Sequence, residues 1–416
     1  MTIHHTAAFI RKNISIVVQG AVTRKNIFQV ANHCAHWRNI LPDAEIILSI
    51  STTDCLFFEG TSSSNQLIKR IINNPQDDYT ILPAINTFNN ACNYLLFNEK
   101  STALPLPPIK DDTRNPNNIN YLIESSYNGL SIASKTYTLR IRNDAIFLNS
   151  NFIDLYCNNH ALPRKSETAF FQKRVLVPWI YTLNPYSDER LPLHISDWLN
   201  FGLTKDLKKI WDIPPYTFQD AVFFEKNKPR YANISERHFN LRLAVEQYIY
   251  IQYFQKIHPT LKVDYLNDLS SRELCMDIML DNFYIFSHEE FDLRINKNYQ
   301  KELTNPYKRS ACLTEDAWRF MVLNRSIQYE EILQGDVDKN IRRISQNTFS
   351  FKEFTKNASP LHEDLTPIQK IIFFVYSQIL SKKMRNKFLL YPQAFFRDSK
   401  SFFTQKIIGR IYIKQP

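Results

Sequence analysis

The residues best suited to chemistry in this chain stand at the ends of apolar runs. Residues 137–144 (YTLRIRND) read as a strand that delivers Asp144 to its carboxyl end, where ligands of open α/β sheets gather. Inside that run Arg140 and Arg142 alternate with Leu139 and Ile141, so both point to one face. Residues 14–18 (ISIVV) form a similar run that closes on Gln19 and Gly20. Further on, HISDW places His194 and Asp197 among aromatics, eight and five residues before Gly202. Glu246 lies in a helical stretch read over 241–255. The one literal Asp-x-Asp, Asp336 with Asp338, follows Gly335 with no strand before it and reads as a turn.

The elements that must position these groups read as α/β. Two β-branched runs, 14–18 and 45–49, are spaced by a polar helical stretch, the pattern of a βαβ unit with a parallel sheet. Residues 118–134 read as a helix with Ile119, Leu122, Ile123 and Leu130 on its apolar side. Its other side carries Asn118, Ser125 and Gly129 at i, i+7 and i+11, a small polar line along which a ligand or another helix can approach. Residues 174–180 read as a further strand and 204–211 as a helix. Residues 60–117, rich in Asn, Pro and Asp, read as an elaborated insertion with one short helix at most. The last third reads as mainly helical, with Thr314 and Thr366 as N-caps, the latter in a capping box with Gln369.

Composition removes several classes of function. Only six glycines occur among 416 residues (Gly20, Gly60, Gly129, Gly202, Gly335, Gly409), so neither GxGxxG nor GxxxxGK[ST] exists here. The six cysteines form no CxxC pair, which argues against zinc ribbons and thioredoxin chemistry and for buried thiols in a reducing compartment. The first thirteen residues hold no long apolar stretch, so no leader is expected, and the longest apolar run, 371–380, is too short to span a bilayer. From Thr366 onward ten basic residues face one acid, Asp398, which leaves the first 365 residues at +1 of the total +10. An apolar stripe beside that basic, aromatic cluster suits an anionic membrane surface; a solvated helix face is the alternative.

The ordered motifs ISIVVQGAV, WRNILPDAEIILS, Asn118 with Ser125-Ser126 and Gly129-Leu130, YTLRIRND, HISDWLNFG with DLKKIW, and VEQYI resemble the WavE-type lipopolysaccharide synthesis family over roughly residues 13 to 255. The resemblance implies a glycosyltransferase with a GT-A-like fold, a single Rossmann-type mixed sheet flanked by helices. On that reading 1–255 is the nucleotide-sugar-binding catalytic domain, 256–365 a helical acceptor-side region and 366–416 a membrane-apposed tail. The chain departs from the family at Tyr121 and Leu122, where an Arg-Gln pair is common.

The resemblance implies a donor site at Gln19, Gly20, Asn118, Ser125, Gly129, Arg140, Arg142 and Asp144. Asp144 would hold Mn²⁺ or Mg²⁺ if the enzyme uses a metal, although Arg142 and Asn143 leave it a single acid. An arginine there can equally offset phosphate charge or form a structural ion pair. Asp197 is the first candidate for the base that takes the acceptor proton and Glu246 the second, with His194 assisting. Asp197 reads equally as the cap of a helix starting near Trp198. The expected activity is sugar transfer from a nucleotide donor to a lipopolysaccharide core or capsular polysaccharide acceptor, at the inner face of the cytoplasmic membrane. A nucleic-acid-binding protein is the alternative from another class, but its charge would be confined to the tail with no reading motif. A non-catalytic sugar-binding homologue is the third.

Overall fold

The computed structural model describes residues 6–51, 82–159, 162–227, 236–287, 293–295, 311–325 and 329, apart from residues 24, 99, 111, 114 and 188. Its strands are β1 (Ile14–Ala21), β2 (Glu45–Ser51), β3 (Tyr94–Asn98), β4 (Tyr137–Arg142), β5 (Ala145–Phe147), β6 (Val175–Pro178), β7 (Leu199–Leu203), β8 (Phe283–Phe286) and β9 (Leu293–Ile295). The helices used below are α1 (Ala7–Lys12), α2 (Ile27–Ile40), α3 (Leu82–Ala91), α4 (Ile119–Ile132), α5 (Asn151–Asn159), α6 (Thr204–Trp211), α7 (Phe218–Ala221), α8 (Phe223–Lys226), α9 (Val245–Ile257), α10 (Arg272–Asn282) and α11 (Glu315–Leu323).

Seven strands form one mixed sheet in the order β3-β2-β1-β4-β7-β6-β8, and β5 pairs with β9 in a separate ribbon. β1, β2, β3 and β4 run parallel, while β7 runs antiparallel to both neighbours, β4 and β6. This is the helix-flanked mixed sheet that the resemblance implies. β2 (EIILSIS) is buried along its whole length, its apolar Ile46, Ile47, Leu48 and Ile50 together with Glu45, Ser49 and Ser51. α4, α6 and α9 cover one face. On the other, Trp37 of α2 meets Phe147 and Phe152 edge-on, and Phe152 of α5 meets Phe201 of β7 at 5.0 Å.

Gly129 of α4 settles how closely that helix lies on the sheet. A Cβ at this position would overlap Val17 Cγ1 and stand 3.2 Å from Ser49 Cβ. The line Asn118–Ser125–Gly129 is therefore largely a contact with β1 and β2, and not a helix–helix contact. Only Asn118, exposed at the start of α4, lies on the open rim.

Three expectations need correction. The span 60–117 is not simply an insertion: α3 and β3 fall inside it, and β3 is an edge strand of the main sheet. Its asparagines concealed this, because Asn86, Asn89 and Asn90 form the exposed side of α3 while Ala84, Ile85, Phe88 and Ala91 are buried. The region 256–365 is not helical throughout, since β8 joins the sheet beside β6. α9 begins at Val245, not near 241, because Arg242 is held outside the helix by Asp220 through an ion pair of 2.9 Å and a main-chain bond. Thr314 caps α11 as expected, its side chain accepting from Ala317 N. Residues 52–81, the Asp336–Asp338 pair and the tail 366–416 lie outside the described residues.

Candidate active site

The antiparallel β7 explains how distant sequence segments meet. β1, β4 and β6 all end at one edge of the sheet, and β7, running the other way, starts there. Arg142 N donates to Trp198 O at 3.1 Å, so Asp197 arrives beside the end of β4. Asp197 thus leads into a strand and caps no helix, because Leu199–Leu203 is held by pairing to β4.

Arg140 and Arg142 share a face, as their alternation requires. Arg140 is fully buried: Nε donates to Ser126 Oγ at 3.0 Å, Nη1 donates to the Asp197 carbonyl, and the guanidinium lies 4.3 Å from the Trp211 ring centroid. Desolvation draws its pKa down to about 10, against the pull of Asp197, so it stays cationic at neutral pH. Trp211 in turn donates to Asn200, and Asn200 donates to the Tyr250 hydroxyl at 2.9 Å. This buried chain ties α6, β7 and α9 together behind the edge.

Arg142 is nearer the surface, its side chain 26% exposed. It grips Asp144 with two parallel bonds, Nε to Oδ1 at 3.0 Å and Nη2 to Oδ2 at 2.9 Å. Its Nη1 also lies 3.7 Å from Asp197 Oδ1. Asp197 Oδ1, Arg140 Nη2 and Ser196 Oγ are buried without a hydrogen-bond partner among the described residues. Such unsatisfied atoms are rare in folded proteins; three of the eleven among the described residues lie on Arg140, Ser196 and Asp197, and the others are spread through the interior.

His194 and Glu246 complete the cluster. His194 Nδ1 lies 2.8 Å from the Tyr181 carbonyl, which only accepts, so Nδ1 carries hydrogen and Nε2 faces Glu246 Oε2 at 3.5 Å. Glu246 stands in the first turn of α9, whose start is fixed by Gln247 accepting from Ala244 N at 3.1 Å. Burial raises the Glu246 pKa above the usual carboxylate range; His194 pulls it down and Asp197 pushes it up. Tyr181 and Leu193 both have positive φ, 60° and 53°, a costly conformation for such residues that often marks functional sites. Leu183 N to His194 O and Ser196 N to Thr182 Oγ1 lock the two strained segments together.

The remaining expected residues sit apart from this cluster. The Gln19 side chain is buried and turned to α4, where Oε1 accepts from Ser125 Oγ at 3.0 Å. Gly20, at φ +142°, lies against the Asn143 side chain, where a Cβ would come within 2.6 Å of Oδ1. Asn143 then clamps β1, donating from its main chain to Gln19 O and from its side chain to Ala21 O. Gly129 and Gly202 serve packing, Gly202 at an ordinary 3.4 Å from Val175. The sequence sets Gly20, Gly129 and Gly202 in three separate motifs and predicts that they converge on one donor cleft; they do not, since Gly129 packs on Val17 and Gly202 on Val175. Sequence reasoning missed Tyr181 and Leu193, which act through main-chain geometry and carry no side-chain signature.

A divalent cation fits these residues poorly. Both Asp144 oxygens already accept from Arg142, and the other nearby acid, Asp197, faces the same guanidinium. Among the described residues no three His, Cys, Asp or Glu side chains group so as to hold a metal ion by themselves.

A family model described as WavE lipopolysaccharide synthesis matches residues 106–348, more than half of the chain. The match starts later and ends later than the motifs in the sequence suggest, so it includes β4, Asp197 and Glu246 but not β1 or β2. No curated protein matches the chain. Among solved structures, an active-site mutant of LgtC is 12% identical with a TM-score of 0.25, covering 54% of this chain and 82% of that one. The apo-form glycosyltransferase GlyE of Streptococcus pneumoniae TIGR4 is 10% identical with a TM-score of 0.26, covering 78% of this chain and 63% of that one. Likenesses this loose bear no weight for activity.

Proposed function

The chain belongs to the WavE lipopolysaccharide synthesis family, and from that premise we propose that it is a glycosyltransferase. It moves a sugar from a nucleotide-activated donor to a lipopolysaccharide core or capsular polysaccharide acceptor. The observation that carries this reading is the meeting of Arg142, Asp144, Asp197, His194 and Glu246 at the carboxyl edge of the sheet. The activity needs a base for the acceptor hydroxyl and positive charge for the leaving phosphate.

Of the two candidate bases, Glu246 suits the role better. It is more exposed than Asp197, 23% against 6% for the side chains, and His194 stands beside it. As the acceptor oxygen bonds to the sugar carbon, its proton passes to Glu246 and the donor's carbon–oxygen bond breaks toward the phosphate. Asp197 holds Arg142 in place. Gln19, Gly20 and Asn118 line the donor side of the edge, the first two through main chain, while Ser125 supports Gln19 from α4.

No helix among the described residues is long and apolar enough to cross a membrane. Attachment to an anionic membrane surface through the basic segment 366–416 is part of the same proposal. Thermal-shift screening against UDP-, GDP-, CMP- and dTDP-sugars tests the activity class, because a ligand that binds the folded state stabilises it by mass action. One donor class should raise Tm in the native chain. No shift with any donor would overturn the reading.

A further inference from the structure

In a two-acid metal site, carboxylates at positions i and i+2 share a divalent cation. This chain has Arg142-Asn143-Asp144 at the end of β4. The first position therefore supplies a cation of its own, and the second position holds it.

We propose that Arg142 provides the positive charge that meets the leaving nucleotide phosphate, so that donor binding and transfer need no divalent metal. The inference rests on the glycosyltransferase reading above. Three observations carry it. Both oxygens of Asp144 are engaged by Nε and Nη2 of Arg142, so a metal would have to displace a bidentate pair. Asp197, the second acid at the edge, faces Nη1 of the same guanidinium at 3.7 Å. Arg142 is a quarter exposed, whereas Arg140 behind it is fully buried against Ser126, the Asp197 carbonyl and Trp211, out of reach of a ligand.

Asp144 takes the Nε and Nη2 side of the guanidinium and Asp197 faces Nη1, so the two acids fix the plane in which the terminal Nη1–Nη2 edge would meet a phosphate. A guanidinium held in advance offers planar donors to phosphate without a rotamer search at the moment of reaction. In the transfer step the sugar carbon–oxygen bond breaks, its electron pair stays on the phosphate oxygen, and Arg142 meets that charge by hydrogen bonding. No proton leaves Arg142. Lysine would keep the charge but lose the fork and its bidentate hold on Asp144.

Calorimetric titration of the full chain with UDP, GDP, CMP and dTDP, in EDTA and again in Mn²⁺, tests this. The expected result is one nucleotide that binds equally well in both buffers. Arg142→Ala should weaken that nucleotide by at least about tenfold, the loss of one charge-assisted fork, and leave the parent nucleoside unaffected. Arg142→Lys, which keeps a cation beside Asp144 and Asp197, should fall between the two and guards against a variant that does not fold. Binding that requires Mn²⁺, or that is indifferent to both substitutions, would overturn the inference while leaving the glycosyltransferase reading standing. No nucleotide binding in either buffer would remove that reading and the inference with it.

Discussion

Substituting Gly129 by alanine sets two opposed effects against each other, and the close approach of α4 to the sheet decides the sign. On an isolated helix the change is favourable by about 1 kcal/mol, since alanine is the better helix former. Here the new methyl would overlap Val17 Cγ1 and press on Ser49 Cβ at 3.2 Å. Val17 is β-branched and buried in β1, so it has no alternative rotamer to retreat into. Relief requires α4 to lift by roughly 1 Å to restore ordinary carbon–carbon contact. That shift costs about 1–3 kcal/mol for overpacking and strains the bonds from Ser125 to Gln19 and from Arg140 to Ser126, worth about 1 kcal/mol each. The net expectation is a loss of about 2 kcal/mol, read as a lower urea midpoint at unchanged m-value. Gly202→Ala is the control: its methyl would meet Val175 at an ordinary 3.4 Å and should be nearly neutral. If Gly129→Ala stabilises the protein by the helix-propensity amount, α4 does not rest on β1 as described.

Further outcomes follow from other parts of the molecule. Burial draws the His33 pKa from 6.5 to about 4, so the unfolded chain takes up this proton first as pH falls; stability present above about 6.5 is lost toward 4. At about 1.4 kcal/mol per pH unit the effect approaches roughly 3 kcal/mol, and His33→Gln should flatten the acid limb of urea midpoints measured between pH 7 and 4. Arg140→Leu strands Ser126 Oγ and the Asp197 carbonyl in the interior and should cost about 3 kcal/mol; an unchanged thermal midpoint would contradict its place in the core. Because burial raises its pKa, Glu246 loses its proton at higher pH than a free glutamate, so the rise of turnover with pH should be displaced upward. Glu246→Gln should abolish most turnover while leaving nucleotide affinity intact; full activity in this variant would move the base elsewhere. Deleting 366–416 should shift the protein from membrane to soluble fractions, and unchanged partitioning would remove the proposed anchor.

Much of the edge cluster was legible because strands advertise their ends. The β-branched runs before Gln19 and Asp144, and the alternation that puts Arg140 and Arg142 on one face, are local signals that tertiary packing did not override. The HISDW segment reads from sequence as a site acid or equally as a helix cap, and the cap alternative fails. Asp197 stands before LNFGL, whose Asn and Gly are poor strand formers, and only pairing with β4 makes that stretch a strand. Asn200 is tolerated there because Trp211 and Tyr250 satisfy its amide. The contact of His194 with Glu246 joins segments some fifty residues apart and has no local trace. Nor has the Tyr181 carbonyl, since any residue could supply it. Gly129 marks a point of close approach in the sequence, but no local pattern says that the approaching partner is the protein's own sheet.

The reversed direction of β7 has a consequence for how the chain reaches its final state. β1, β2, β3 and β4 come from one stretch of chain, and β6, β7 and β8 from a later one; in the seven-stranded sheet, among the described residues, the two groups join across the pairing of Tyr137–Ile141 with Leu203–Leu199. That pairing closes a loop of more than fifty residues, a slow event for a folding chain compared with forming the neighbouring βαβ units. Arg142 belongs to the first group and Asp197, His194 and Glu246 to the second. A chain with both halves formed but the seam open would show most of its secondary structure and none of its site. Recovery of ligand binding should therefore lag recovery of helical signal during refolding, which makes the site a sensor of the last closure of the sheet.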